Sequence, residues 1–187
     1  MKTAIVLGTR PEIIKLSPLI KQLNKKNTSV IFTGQHYDYN MSMHFIDQLG
    51  LDKPNYSMKI PPTKPSLQIA EIIKKLSKIL EKEKPETVIV QGDTNTVLAA
   101  GITSLKLHIP ISHIESGLRS YDWRMPEEHN RITVDHFSDF LFAPTQINKQ
   151  NLISEKVHGK IFVTGNTVID AINQFSKISK KQSKLSI

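Results

Sequence analysis

The sequence predicts an α/β domain: a Rossmann-like parallel sheet with helices on both faces. Three observations carry this. Short apolar segments alternate with segments of helical spacing from the N-terminus to about residue 175. A chain of 187 residues with 39% apolar content buries a single core without disulfide or metal staples. Finally, five of the strand-like segments run directly into polar, glycine-containing stretches, the arrangement that βα loops give to one rim of a parallel sheet.

Residues 4–7 form the first apolar strand. The helix over 12–23 has apolar spacing at Ile13, Leu16 and Ile20, with Pro18 as an expected kink. A strand over 30–33 and a helix over 41–49 follow. Residues 66–82 form an amphipathic helix through Ile69, Ile72, Ile73, Leu76 and Leu80, ended by Pro85. Then come a β-branched strand at 87–90, a helix at 97–105, a strand at 111–114, a helix at 127–137 after Pro126, strands at 140–143 and 161–164, and a last helix at 168–175. Residues 1–175 read as one domain, and 176–187 as a basic tail or the start of an interdomain linker.

Composition narrows the function classes. Without cysteine there are no disulfides and no thiolate metal sites. The apolar runs are too short to span a bilayer. The run after Lys2 stops at Gly8-Thr9-Arg10-Pro11 with no cleavage site, so it reads as a strand rather than a signal peptide, and a cytoplasmic protein is expected. The net charge of +8 favours an anionic partner, though Lys177, Lys180, Lys181 and Lys184 place much of it in the tail. At 6% aromatic content there is no interleaved basic–aromatic face for nucleic acid. Neither nucleic acid nor membrane is an expected partner.

Ligands of such sheets bind at the carboxyl ends of the strands. The stretches there are Gly8-Thr9-Arg10-Pro11-Glu12, Gly34-Gln35-His36-Tyr37-Asp38, Gln91-Gly92-Asp93-Thr94, Glu115-Ser116-Gly117-Leu118-Arg119 and Gly165-Asn166-Thr167. A capping box accounts for Thr9, Pro11 and Glu12 but not for Arg10, whose cation adds to an already positive helix terminus unless an anion visits. Asp93 reads either as an N-cap or as a site carboxylate. Glu115 has no capping role, because Gly117 interrupts any helix. Glu127 and Glu128 compensate a helix dipole, with Glu127 also spaced to pair with Arg131. His36 and His113 receive no role, and no metal spacing is present. No dinucleotide fingerprint or P-loop occurs.

Taken together, Gly8-Thr9-Arg10-Pro11-Glu12-Ile13-Ile14-Lys15, Gly34-Gln35-His36, Gly92-Asp93-Thr94, His113-Ile114-Glu115-Ser116-Gly117-Leu118-Arg119, Pro126-Glu127-Glu128-His129-Asn130-Arg131 and Thr164-Gly165-Asn166-Thr167-Val168-Ile169-Asp170 resemble the non-hydrolysing UDP-N-acetylglucosamine 2-epimerases. The resemblance runs in order over nearly the whole chain. It implies the N-terminal half of a glycosyltransferase-B-type architecture, with substrate in the cleft between two Rossmann-like halves. It implies Arg10 and Lys15 as substrate-binding residues, and Asp93, Glu115 and Glu127 as acid/base carboxylates. The implied reaction interconverts UDP-N-acetylglucosamine and UDP-N-acetylmannosamine by elimination and re-addition of UDP, without cofactor, for surface-polysaccharide precursors. The implied partners are a UDP-sugar, a C-terminal domain in cis or trans carrying the uridine pocket and a catalytic histidine, and a second subunit in a homodimer.

The pattern departs from bacterial members at Tyr37, where they carry arginine, and at Lys64-Pro65-Ser66, where they carry a Gly-Gln pair. Both regions resemble activator contacts, and the tyrosine form occurs in relatives acting on other UDP-2-acetamido sugars. A related 2-acetamido-sugar epimerase, a glycosyltransferase of the same architecture and a silent binding module are the competing readings.

Overall fold

A computed structural model of the chain describes residues 1–35, 39–61 and 63–174. His36, Tyr37, Asp38, Phe175 and the stretch 176–187 lie outside the described residues.

Seven parallel strands form one sheet in the order β3-β2-β1-β4-β5-β6-β7. They are β1 (Thr3–Leu7), β2 (Thr28–Phe32), β3 (Tyr56–Ser57), β4 (Thr87–Gln91), β5 (Ile111–Ile114), β6 (Phe140–Ala143) and β7 (Lys160–Val163). The helices are α1 (Arg10–Gln22), α2 (Tyr39–Gln48), α3 (Pro65–Glu83), α4 (Asn95–Lys106), α5 (Pro126–Phe137) and α6 (Gln146–Ser154), with α7 over 167–174. No helix among the described residues is long and apolar enough to cross a membrane.

The central strands read as continuous apolar runs because both faces are covered. All five residues of β1 and of β4 are buried. On one face Ile5, Leu7, Phe32 and Ile89 pack with Ile13 and Leu16 of α1 and Ile46 of α2. On the other, Ala4, Val6, Val88, Val90 and Ile111 pack with Ile72, Leu76 and Leu80 of α3, Val97 and Ala100 of α4, and Val134 of α5. A third cluster joins Leu141 and Ala143 to Leu152 of α6.

Pro18 sits inside α1, and the helix remains continuous through it. A proline has no amide hydrogen to give the carbonyl four residues back. The Ser17 hydroxyl donates to that Ile14 carbonyl instead, at 2.8 Å.

Three elements were not expected from the sequence: a short 3₁₀ turn at Lys25–Asn27, β3, and α6. A strand of two residues shows no alternation. The segment QINKQNLIS of α6 buries only Asn148 and Leu152, so it carries too few apolar positions to display a helical period. The parallel pairing of β6 with β7 nonetheless requires a crossover there.

Candidate functional site

β1 and β4 are neighbours in the sheet, yet α1 and α4 pack on opposite faces. Their loops therefore part at the topological switch point, where open α/β sheets form a crevice. Gly8 ends β1 there. A Cβ at Gly8 would come within 2.3 Å of the Thr33 and Thr96 hydroxyls, which bond each other at 2.8 Å, so only glycine lets the loop pass. The expected capping box is formed. Glu12 Oε2 accepts from the amides of Gly8 (2.6 Å) and Thr9 (2.7 Å), while Oε1 accepts from the Thr94 hydroxyl (2.6 Å). Burial pushes the Glu12 carboxyl above its ordinary range despite these bonds. Glu12 thus ties the first loop to the loop after β4.

Thr94 is the N-cap of α4, its hydroxyl accepting from the Val97 amide at 3.3 Å. That corrects the N-cap reading of Asp93. Freed from capping, Asp93 accepts from Nε of Arg131 at 3.0 Å and also from its Nη2, and it stays 27% exposed. Asn130 Nδ2 donates to the Asp93 carbonyl at 2.8 Å.

Glu115 follows β5 and is the focus of the rim. Its φ is +69°, in the left-handed region where the comparable loop positions after β2, β4 and β7 carry Gly34, Gly92 and Gly165. A side chain in that region costs about 1 kcal/mol or more. The carboxylate is 9% exposed. Oε2 accepts from Lys15 Nζ at 2.6 Å and from Gln91 Nε2, and Oε1 from Asn166 Nδ2 at 2.8 Å. Three segments distant in sequence thus converge on one carboxylate. Next to it, the buried Ser116 hydroxyl has no hydrogen-bond partner among the described residues, nor does that of Thr167 at the start of α7.

Glu127 and Glu128 share the first turn of α5 but do different things. Glu128 is fully buried. It accepts from the amides of Ser120 and Tyr121, from the Ser120 hydroxyl and from Arg131 Nη1 at 2.8 Å. Burial raises its carboxyl, and these donors more than offset that, leaving it below its ordinary range. Glu127 is exposed and makes no ion pair among the described residues. The expected Glu127–Arg131 pair is not formed, because Arg131 is held by Glu128 and Asp93. Arg10, the first residue of α1, also makes no ion pair among the described residues. Its guanidinium lies over the Phe45 ring of α2, 5.7 Å from the centroid.

His113, given no role from the sequence, proves central to a buried network. Its Nδ1 lies 2.7 Å from Asp135 Oδ1 and its Nε2 2.8 Å from the Gly92 carbonyl. Asp135 Oδ2 accepts from the Gly117 amide (3.0 Å) and pairs with Arg119 Nη1 (2.8 Å). Arg119 also forms a two-point bond to Glu155. Gly117 has φ +78°, and a Cβ there would meet the Asn148 carbonyl at 2.3 Å. No sequence spacing marks this set, since its members come from β5, α5 and three loops.

A seven-stranded parallel sheet with helices on both faces and polar loops at its carboxyl edge is a Rossmann-like domain, the fold of the N-terminal half of a glycosyltransferase-B-type architecture. The UDP-N-acetylglucosamine 2-epimerase family profile matches residues 20–187, and the chain belongs to that family. It is 49% identical to the UDP-N-acetylglucosamine 2-epimerase of Methanocaldococcus jannaschii, over 99% of this chain and 51% of that protein. It is 40% identical to the UDP-2,3-diacetamido-2,3-dideoxy-D-glucuronate 2-epimerase of Pseudomonas aeruginosa, over 95% of this chain and 52% of that one. The crystal structure of the M. jannaschii enzyme with UDP-GlcNAc and UDP superposes with a TM-score of 0.93, covering 97% of this chain and 51% of that one. The chain spans about half the length of the curated relatives it matches.

Proposed function

We propose that this chain is the proton-transfer half of a cytoplasmic UDP-2-acetamido-sugar 2-epimerase that interconverts UDP-N-acetylglucosamine and UDP-N-acetylmannosamine for surface-polysaccharide precursors. The observation that carries the reading is Glu115: a nearly buried carboxylate, held in a strained backbone conformation at the carboxyl end of β5, with Lys15, Gln91 and Asn166 around it. The names of the M. jannaschii and P. aeruginosa relatives support the substrate class, a UDP-linked 2-acetamido sugar.

In this reading Glu115 removes the C2 proton as the C1–oxygen bond to UDP breaks, leaving a glycal. UDP then adds back to C1 and a proton is delivered to the other face of C2. Inversion needs proton chemistry on two faces, so Asp93 and Glu127 supply the proton to the face that Glu115 does not serve. Arg10, Lys15 and the N-terminus of α1 meet the growing charge of the leaving diphosphate. The reaction is redox-neutral and calls for no cofactor. Residues 1–175 form the domain, and 176–187 open the linker to a second domain that closes the cleft in cis or trans. The complete enzyme is a homodimer.

The test pairs the chain with the second half of the M. jannaschii enzyme and introduces Glu115→Gln. Turnover falls by roughly 10²–10⁴-fold, the range for loss of a general acid or base, while substrate affinity changes far less. Near-normal C2 exchange with heavy water in this variant would remove Glu115 from the reaction.

A further inference from the structure

The loop between β5 and α5 is held firmly from within. Glu128, fully buried, accepts from the Ser120 and Tyr121 amides and from the Ser120 hydroxyl. The Asp122 carboxylate accepts from the Arg124 amide at 3.0 Å, and the Asp122 carbonyl from the Met125 amide at 3.0 Å. His129 Nε2 lies 2.9 Å from the Trp123 carbonyl, and the two rings are tilted with centroids 5.2 Å apart. Tyr121 holds φ +55°, a conformation that a bulky side chain rarely adopts.

The same loop turns its apolar side chains outward. Tyr121 is 66% exposed, Trp123 60% and Met125 39%. Ile147, 74% exposed, belongs to the same surface, because Asn151, one turn further along α6, accepts from the Tyr121 hydroxyl at 3.4 Å. The loop and the start of α6 both follow strand ends at the carboxyl edge of the sheet, so the patch borders the rim that carries Glu115 and Glu127. Tyrosine, tryptophan and methionine are enriched at the centres of protein interfaces, and a soluble domain rarely groups such residues in water without a partner.

The patch selects among occupants. A sugar ring or a base covers one aromatic ring, not a surface spread over a loop and a helix. A second copy docking through the same patch would bring Glu127 of one chain toward Glu127 of the other. That residue lies four positions from Trp123, is exposed, and makes no ion pair among the described residues. A domain facing the rim across the cleft meets neither objection. The chain covers 51% of the M. jannaschii enzyme, so a stretch of similar length lies beyond the match there.

We propose that Tyr121, Trp123, Met125 and Ile147 form the surface on which the second domain docks over the cleft. The proposal rests on the reading that a second domain completes the site, and adds where the two meet.

Trp123 is the chain's only tryptophan, so it reports alone. Chain 1–187 labelled with 5-fluorotryptophan gives one ¹⁹F resonance. On titration with the unlabelled second half of the M. jannaschii enzyme, that resonance is expected to move and to lose its solvent isotope shift between light and heavy water, as a buried ring does. Trp123→Ser is expected to weaken the pair about thirtyfold by calorimetry, the size of an interface hot spot, while the melting temperature of the free chain holds. Ile153→Ser, at an exposed residue on another face of α6, is expected to change the affinity by about twofold or less. Pairing with an unmoved resonance, or normal pairing by Trp123→Ser, overturns the docking surface and leaves the second-domain reading standing. A resonance that moves with UDP-N-acetylglucosamine alone assigns the patch to substrate, and one that moves with chain concentration alone assigns it to a second copy; either overturns the proposal. Absence of pairing overturns the second-domain reading and the docking surface together.

Discussion

Glu83 and Glu115 stand near opposite ends of the sheet and are satisfied in similar ways. Glu83, the last residue of α3, accepts from the Tyr56 hydroxyl at 2.5 Å and the Ser29 hydroxyl at 2.7 Å, with Lys2 Nζ 3.2 Å away. Glu115 accepts from Lys15, Gln91 and Asn166. Each has a lysine and two neutral donors, and neither is a buried orphan. The difference lies in the backbone. Glu83 ends an ordinary helix, whereas Glu115 occupies a left-handed conformation that glycines take after three other strands. A glycine at 115 would relieve the backbone but would leave Lys15, Gln91 and Asn166 without their acceptor. Glu83 is held where the chain is relaxed, whereas Glu115 is held at a backbone cost, which is the pattern expected of the reactive carboxylate proposed here.

The largest effect on stability is expected at the amino end. The Tyr56 and Ser29 hydroxyls and Lys2 bring the Glu83 carboxyl down to about 2, against 4.5 for an ordinary glutamate. A group depressed in the folded state stabilises above its unfolded value and ceases to do so as pH falls toward its folded one. Discounted for solvent screening at this partly exposed site, Glu83 contributes on the order of 2 kcal/mol at neutral pH, lost between about pH 5 and pH 2. Urea melts of Glu83→Gln should show a lower midpoint at pH 7 and a flatter decline on acidification, with binding of UDP-sugar by the paired enzyme unchanged. Equal acid sensitivity in the variant would break the comparison.

At the carboxyl end, Arg10→Ala is expected to weaken UDP binding by the paired enzyme about tenfold, the loss of one charge-assisted contact of about 1.4 kcal/mol. The melting temperature should hold, since Arg10 makes no ion pair among the described residues. Calorimetry showing unchanged affinity would remove Arg10 from the site.

The smallest effect isolates the strain. Glu115→Ala and Glu115→Gly remove the same contacts, but only alanine retains the left-handed penalty. The glycine variant should be about 1 kcal/mol the more stable by denaturant titration. Equal stability would mean that the backbone at 115 relaxes without cost.

Much of this was readable from the sequence, because the fold and the site leave different signals. Apolar runs such as Thr87-Val88-Ile89-Val90 and the helical spacing through Leu76 and Leu80 reported burial directly. Glu115 could be singled out because Gly117 denies it a capping role. Asp93 was ambiguous because Thr94 beside it caps equally well, and only the hydroxyl bond to Val97 separates them. Glu128 and Glu127 are alike in sequence; the turn at Ser120 and Tyr121, which folds back onto Glu128, distinguishes them. His113 was silent because its partners Asp135 and Gly92 lie twenty or so residues away on either side, with no spacing rule joining them. α6 was missed because its buried stripe is one asparagine and one leucine.

In the proposed reading the rim is a half-site, and a second domain excludes water and encloses the diphosphate, since exposed cations act weakly on a leaving group. The most direct measurement follows C2 deuterium incorporation into UDP-N-acetylglucosamine in heavy water, first by purified chain 1–187 shown to melt cooperatively, then by the same chain with the second half of the M. jannaschii enzyme. No appreciable exchange by the chain alone and clear exchange by the pair is the predicted result. Robust exchange by the isolated chain would contradict it and place the whole catalytic set within these residues.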